Sequence, residues 1–346
     1  MSRILTMRKA LTEAFFQEME RDPTVIMLGE DIAGGRGAGG QRDAWGGDLG
    51  ITKGLIGRFG EERVLDMPIS EQAYLGMAVG AAISGLRPVA ELMYVDFVGI
   101  AFDAMLNQAA KYRFMLGRKM PLPVVLRVQY GAGFRAGPQH SQTLYSLFTH
   151  IPGLKVVVPA TAHDAKGLMM SAIRDDDPVV YFEHKVMYGE VKDEVPETME
   201  PIPFGQARLV RAGRDVTIVA IGRMVYVALR AAAALAAQGI EAEILDPRTL
   251  SPLDLDSIID SVESTGRLVV VDESHPRCSL AADIIAQISE RAFDTLRAAP
   301  RAITAPHSPI PFAPSLEDAY LPSTERVVAA VLDMLDRKAS ARGVSC

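Results

Sequence analysis

Short apolar runs rich in β-branched residues alternate along this chain with longer stretches of helical spacing. The runs are VIMLG (25–29), RVLDM (63–67), PVAELMY (88–94), PVVLRVQY (123–130), LKVVVP (154–159) and PVVYFEH (178–184). Helical spacing lies between them, near 71–85, 98–116, 141–149 and 161–174. An earlier helical pattern starts at the capping residue Thr6 and runs through Glu20, with Leu11, Ala14, Phe15 and Glu18 on one face. Strands that alternate with helices predict parallel pairing with helices on both faces, a doubly wound α/β domain.

The pattern then breaks. GEVKDEVPETMEPIPF (189–204) holds five acidic residues, one lysine and three prolines, which reads as an exposed connector. A second, smaller α/β alternation follows: DVTIVAIG (215–222), a helix over 225–238, IEAEILD (240–246), a helix near 254–263, and RLVVVDE (267–273). The stretch 300–322 is proline-rich, a last helix over 324–337 follows a cap at Ser323, and ASARGVSC reads as a frayed tail. The organisation expected is thus a domain over 1–188, a linker over 189–204, a smaller α/β domain over 205–338 and a tail over 339–346. No internal repeat is visible.

A length of 346 residues suits two domains of ordinary size. The formal charge of −7 and the lack of any Lys/Arg-rich run argue against nucleic acid or an anionic membrane as the main partner. The longest apolar run, Ala73–Leu86, has 14 residues, short of the roughly 20 that span a bilayer. The opening MSRILTMRKALTEAF does not read as a secretory signal. Two cysteines, Cys278 and Cys346, build neither a disulfide framework nor a zinc cluster, and read as free thiols in a reducing cytoplasm.

Two stretches invite chemistry. GGRGAGG (34–40) contains G-x-G-x-x-G as Gly35, Gly37 and Gly40, but QRDAWGGDLG follows instead of the helix a dinucleotide site needs, so it reads as a surface or channel loop. No P-loop, zincin or nucleophile-elbow motif occurs. The other stretch is PISEQAYLGMAVGAAISG (68–85), apolar or small on all faces after Gln72, hence expected to be buried. Glu71 opens it. With Ser70 as cap, a first-turn glutamate on an exposed helix would only complement the helix dipole, for about 0.3–1 kcal/mol. On a buried helix, desolvation of a lone carboxylate outweighs that gain, so a partner must hydrogen-bond it or share its proton. It also follows the carboxyl end of a strand, the edge at which open α/β sheets bind ligands.

The stretch DMPISEQAYLGMAVGAAISGLRPVAELMYVDF, then GPQHSQ (137–142), HIPGLKVVVPATAHDAKGLMMSAIRDDDPVVYFEHKVMYG (150–189) and IVAIGRMVYVALRAAAALAAQGIEAEILDPRTLSPLD (218–254) resemble the β subunit of thiamine-diphosphate-dependent dehydrogenase first components. That family includes acetoin, pyruvate and branched-chain 2-oxo acid dehydrogenases. The resemblance covers roughly 1–338, and GGRGAGGQRDAWGGDLGITKGL with FTHIPGLKVV brings it nearest to the acetoin branch. It implies a pyrimidine-binding, transketolase-like α/β domain followed by a transketolase C-terminal-like domain. It also implies thiamine diphosphate shared with an α subunit in a heterotetramer of two α and two β chains. The acyl group would pass to a lipoyl-bearing acyltransferase, in the cytoplasm.

The same resemblance assigns roles. Glu71 matches the glutamate that shares a proton with the pyrimidine ring nitrogen, so that the imino tautomer can deprotonate the thiazolium carbon. Phe97 matches an aromatic stacked on the aminopyrimidine, and Ile69 and Met93 match other wall positions; any apolar residue would also serve a core. His140 in GPQHSQ matches a histidine that assists intermediate formation or acyl transfer. Ala172, Ile173, Asp175 and Asp177 match positions that bind potassium in some relatives, largely through carbonyls, although Asp177 replaces an asparagine and a solvated acidic helix end explains the run equally well. The diphosphate and magnesium motif of the α chain is missing, since GGD at 46–48 is followed by leucine, so the chain alone is expected to be inactive. Three rivals stand beside this reading: a non-catalytic docking subunit of the same fold, a nucleotide- or flavin-binding protein resting on GGRGAGG, and a self-sufficient transketolase-like enzyme.

Overall fold

The computed structural model describes residues 2–34, 46–117 and 120–342. The glycine-rich run of 35–40 and the final residues 343–346 lie outside them. The chain divides into two units, one of residues 1–131 with 147–204, the other of residues 132–146 with 205–346.

In the first unit six strands form a parallel sheet in the order Lys155–Val157, Val179–His184, Val125–Tyr130, Arg87–Leu92, Val25–Gly29, Val64–Asp66. Val25–Gly29, Val125–Tyr130 and Val179–His184 are buried at every position, which is why they read as mostly apolar runs rather than as strict alternation. The N-terminal helix Met7–Arg21 starts where expected, with Thr6 Oγ1 accepting from the Lys9 amide at 3.3 Å, and it packs on the helix Ala162–Arg174. The expected helix over 98–116 is present as one helical run, interrupted by a π-helical segment at Ala104–Ala109.

Four expectations need correction. The acidic stretch 189–204 is not a bare connector: Lys192–Pro196 pairs antiparallel with Ser2–Thr6, and Val195 is fully buried. Residues 132–146, expected in the first domain, belong to the second unit. The expected tail over 339–346 begins too early, because the last helix runs Thr324–Arg342. The start of two helices also differs: Ser70 makes no side-chain cap bond, and the helix expected near 141–149 opens at Tyr145.

The second unit has a five-stranded sheet in the order Arg301–Ile303, Leu268–Val271, Val216–Ala220, Ala242–Asp246, Arg208–Arg211. All pairs are parallel except the last, an antiparallel edge strand. Residues 132–146 are tied to this unit by buried carboxylates. Glu273 Oε1 accepts from the Ala132 amide at 2.7 Å, and Glu317 Oε1 accepts from the Gly133 amide at 2.8 Å. Arg135 donates to Glu317 Oε2 at 2.8 Å and to Asp318 Oδ1 at 2.7 Å, and the Tyr145 hydroxyl donates to Asp272. The changeover falls at Gly131, where φ is +93° and an added Cβ would lie 2.3 Å from His184 Nε2. Glycine alone fits there.

Candidate active site

Parallel pairing gathers the carboxyl ends of adjacent strands on one edge, where ligands of open α/β sheets bind. In the first unit, Gly29 is in register with both Asp66 and Glu91. The segments that leave these three strands therefore start side by side: Glu30 after Val25–Gly29, Ile69–Glu71 after Val64–Asp66, and Met93–Phe97 after Arg87–Leu92.

Glu71 is the first residue of the helix Glu71–Ile83 and is only 7 % exposed. No hydrogen bond or ion pair holds its carboxylate among the described residues. Its charge acts on two neighbours, Glu30 and Tyr74. Burial raises the pKa of Glu30, and the charge of Glu71, then of Asp31, raises it further. Burial, with the charges of Glu30, Glu71 and Glu91, pushes the Tyr74 phenol far above its ordinary value. Glu30 Oε1 and the Tyr74 hydroxyl are buried and act on each other, the hydroxyl as the donor that lowers the pKa of Glu30, and neither has another hydrogen-bond partner among the described residues. One phenol is a small donor supply for several buried carboxylate oxygens, and a buried polar atom left unpaired costs about 1–3 kcal/mol, which a bound donor would relieve. The chemistry of this donor-poor acidic cluster fits a heterocycle that brings N–H groups, such as a protonated aminopyrimidine.

Phe97 is half-buried and meets Tyr94 edge-on, with ring centroids 5.6 Å apart at 88°. The Tyr94 hydroxyl donates to Asp48 Oδ2 at 2.7 Å, which fixes the ring that Phe97 leans on. Met93 is half-buried, while Ile69 is 86 % exposed and so is no core residue of this chain. Nor is the helix behind Glu71 buried all round. Tyr74, Leu75, Ala78, Val79 and Ala82 face inward, whereas Ala73, Gly76, Met77 and Gly80 are exposed.

A network that sequence reasoning missed lies beneath this edge. Arg127 is fully buried; it donates through Nε to Glu183 Oε1 at 2.5 Å and through Nη2 to Glu183 Oε2 at 2.8 Å, and pairs through Nη1 with Glu91. The Tyr188 hydroxyl donates to the same Glu183 carboxylate. Burial raises the pKa of Glu91, against the lowering effect of Arg127. The signal was present: a charged residue inside an otherwise apolar strand must find a partner, and Glu91, Arg127 and Glu183 sit on three adjacent strands.

The four potassium candidates do come together, at the end of Ala162–Arg174. Oxygens of three of them, Ile173, Asp175 and Asp177, are already engaged, however. Arg87 Nη1 donates to the carbonyls of Ile173 at 3.1 Å and Asp175 at 3.0 Å. Lys155 Nζ reaches both Asp175 carboxylate oxygens at 2.7 Å and lies 3.0 Å from Asp177 Oδ2, and Arg113 pairs with Asp177. Three side-chain cations already neutralise the acidic run, so the set around Ala172, Ile173, Asp175 and Asp177 fits a potassium ion poorly. Among the described residues no group of three or more His, Cys, Asp and Glu side chains converges as metal ligands.

His140 belongs to the second unit. It is half-buried, on the loop held by Glu273, Glu317 and Asp272, and its amide donates to the Gly137 carbonyl at 3.3 Å. A cavity of about 280 Å³ opens beside that loop, with Pro138 and Gln142 in its wall. No helix among the described residues is long and apolar enough to cross a membrane.

Known proteins are similar to this chain over nearly its whole length. Residues 4–190 match the family described as transketolase, pyrimidine binding domain, and residues 205–327 match transketolase, C-terminal domain. The chain is 59 % identical to the acetoin:2,6-dichlorophenolindophenol oxidoreductase subunit beta of Cupriavidus necator, over 95 % of this chain and 97 % of that one. Identity is 53 % to the protein of the same name in Bacillus subtilis, over 98 % and 99 % of the two chains. It is 44 % to the pyruvate dehydrogenase E1 component subunit beta of Rickettsia felis, over 94 % and 97 %. Among solved structures, a split-gene transketolase described as an inactive beta4 tetramer superposes with a TM-score of 0.74 at 25 % identity, over 96 % of this chain and 98 % of that one.

Proposed function

The chain belongs to the β subunits of thiamine-diphosphate-dependent acetoin and 2-oxo acid dehydrogenase first components, and we propose that it serves acetoin cleavage, with Glu71 as the group that activates the cofactor. The observation that carries this reading is a buried carboxylate at the carboxyl edge of a parallel sheet with no partner among the described residues. The cofactor, when bound, supplies a carbanion that attacks a carbonyl carbon and holds the resulting electron pair. This chain's part is to grip the aminopyrimidine. Glu71 shares a proton with the ring nitrogen, in a charge-assisted hydrogen bond worth about 1.5–3 kcal/mol that offsets its desolvation. Phe97 stacks on the ring, and Met93 and Ile69 wall it. His140 donates and accepts protons on the substrate side during acyl transfer to a lipoyl group.

The family implies an α subunit, and the reading extends to an assembly of two α and two β chains in which the α chain brings magnesium and the diphosphate site. The bare face of the helix Glu71–Ile83 supports a partner chain there: Ile69 and the outward Ala73, Gly76, Met77 and Gly80 form an apolar face continuous with Glu71. At Gly76 and Gly80 no described residue beyond their own helix lies within 4 Å of an added Cβ, so a second backbone can approach closely. The higher identity to the acetoin enzymes favours acetoin over pyruvate or branched 2-oxo acids. The test is Glu71→Gln in the complex with the α subunit, read by hydrogen–deuterium exchange at the thiazolium C2. Exchange and turnover should fall by about 10²-fold or more, with assembly intact. Parent-like exchange in the variant would refute the role of Glu71.

A further inference from the structure

The aromatic assigned to the cofactor sits on a turn, not inside a strand or a long helix. Phe97 closes the 3₁₀ turn Val95–Phe97, and its amide donates to the Tyr94 carbonyl at 3.0 Å. Residues three apart in such a turn eclipse one another, so the turn itself brings the side chains of Tyr94 and Phe97 together. Their rings stand nearly perpendicular, at 88°, with centroids 5.6 Å apart, an arrangement aromatic pairs favour. Whatever holds the Tyr94 ring therefore also restrains Phe97.

Two groups of opposite charge hold that ring. Asp48 Oδ2 accepts from the Tyr94 hydroxyl at 2.7 Å, and the Lys185 ammonium lies over the ring, 4.9 Å from its centroid. An ionised acceptor strengthens the hydrogen bond, and the negative face of the ring attracts the cation. Both anchors are themselves placed. Lys185 follows directly on the strand Val179–His184 and is only 2 % exposed. Asp48 is exposed, but the loop that carries it is tied down on its far side. There the Thr52 amide donates to the Gly46 carbonyl at 3.0 Å, and the buried Thr52 hydroxyl donates to the Ile32 carbonyl at 2.6 Å. Burial, then the hydrogen bond and charge of Asp48, push the Tyr94 phenol far above its ordinary value, so the hydroxyl stays protonated and remains a donor across the neutral range.

Tyr94 and Phe97 are both half-buried, so packing against the core does not by itself fix either ring. Stacking on a flat heterocycle needs one orientation of the aromatic. A support that sets this orientation before binding raises affinity and leaves the chemical step alone. We propose that Tyr94 is a positioning residue, held at its hydroxyl by Asp48 and on its ring by Lys185, which presets Phe97 for stacking on the aminopyrimidine. This assignment rests on the proposed function, in which Phe97 stacks on that ring.

The test uses the complex with the α subunit and compares calorimetric affinity for thiamine diphosphate with kcat at saturating cofactor. Tyr94→Leu should weaken cofactor binding about 10-fold and leave kcat within about threefold. Tyr94→Phe keeps the ring and loses only the bond to Asp48, so its loss should be about threefold, matched by Asp48→Ala and not deepened in the double variant. Lys185→Met should weaken binding in the parent and no further in Tyr94→Leu. If Tyr94→Leu fails to assemble, the cycle of Tyr94→Phe with Asp48→Ala decides, and fully additive losses in it overturn the support at the hydroxyl. Phe97→Ala separates the two readings. A loss of about 10-fold or more in Phe97→Ala, with parent-like affinity in Tyr94→Leu, overturns the positioning role and leaves the stacking role standing. Parent-like affinity in Phe97→Ala overturns both.

Discussion

Replacing Arg127 by methionine removes a fully buried guanidinium and leaves two buried carboxylates, Glu91 and Glu183, on the strands either side of it. The arginine makes a two-pronged bond to Glu183, at 2.5 and 2.8 Å, and a further pair with Glu91. Breaking a buried ion pair by removing one partner costs about 3–5 kcal/mol, because the uncompensated charge stays behind. That is a large fraction of the about 5–15 kcal/mol that holds a domain folded. The loss should depend on pH, and its sign follows from Glu91, whose pKa burial already raises above the ordinary 4.5 even with Arg127 in place. Without Arg127 the raise grows. Above 4.5 the unfolded chain has released a proton that the folded variant still holds, so the variant loses stability as pH rises toward the folded value. The slope is at most about 1.4 kcal/mol per pH unit for one proton. Denaturant unfolding of Arg127→Met, followed by circular dichroism at about pH 5.5 and about pH 8, should show the deficit widening at the higher pH. Adding Glu91→Gln should recover part of it and flatten the pH dependence. A deficit below about 1 kcal/mol, or one equal at both pH values, would refute a net negative charge buried at this position.

Glu30→Gln should raise stability at neutral pH, since burial and the charges of Glu71 and Asp31 raise the pKa of Glu30; the gain should vanish below the ordinary 4.5 and appear as pH rises through the folded value, and a thermal melt series that shows no gain at neutral pH counts against it. Glu317→Ala should leave the Gly133 amide without its acceptor, at a cost of about 1–3 kcal/mol. Hydrogen exchange read by mass spectrometry should then quicken across 132–146, and unchanged protection there would show that Glu317 does not hold the His140 loop.

Much of this architecture was legible because the two periodicities are strong. VIMLG, PVVLRVQY and PVVYFEH are strands within a residue or two of where the apolar runs put them, since parallel strands buried on both faces are mostly apolar, with Arg127, Gln129, Glu183 and His184 as the exceptions. What escaped depends on distant partners. The pairing of Ser2–Thr6 with Lys192–Pro196 joins two short, largely polar segments from opposite ends of a unit, and neither pattern announces the other. The grouping of 132–146 with the second unit rests on bonds such as Ala132 to Glu273 and Gly133 to Glu317, which no local spacing encodes. The helix Leu280–Arg291 was within reach, with Ser279 accepting from the Ala282 amide and Leu280, Ile284 and Ile288 one turn apart.

The most informative mismatch is the helix that follows Glu71. Its composition, apolar or small on every face, predicted burial, and the chain itself covers only the face of Tyr74, Leu75, Ala78, Val79 and Ala82. Hydrophobic patterning records everything a residue is buried against, including surfaces that another chain supplies, because desolvation makes no distinction between covalently linked and separate partners. The excess of apolar surface at Ile69, Ala73 and Met77 is thus where the pattern describes the assembly rather than the chain. Glu71 stands at the head of that surface and shows the same mismatch in polar form. A structural carboxylate would pair with a cation, yet this one is only 7 % exposed and pairs with no cation among the described residues. The unmet apolar face and the unmet carboxylate are adjacent along the chain. A partner that covers the first would seal the second from solvent, and only a ligand with a hydrogen to share would make that burial favourable.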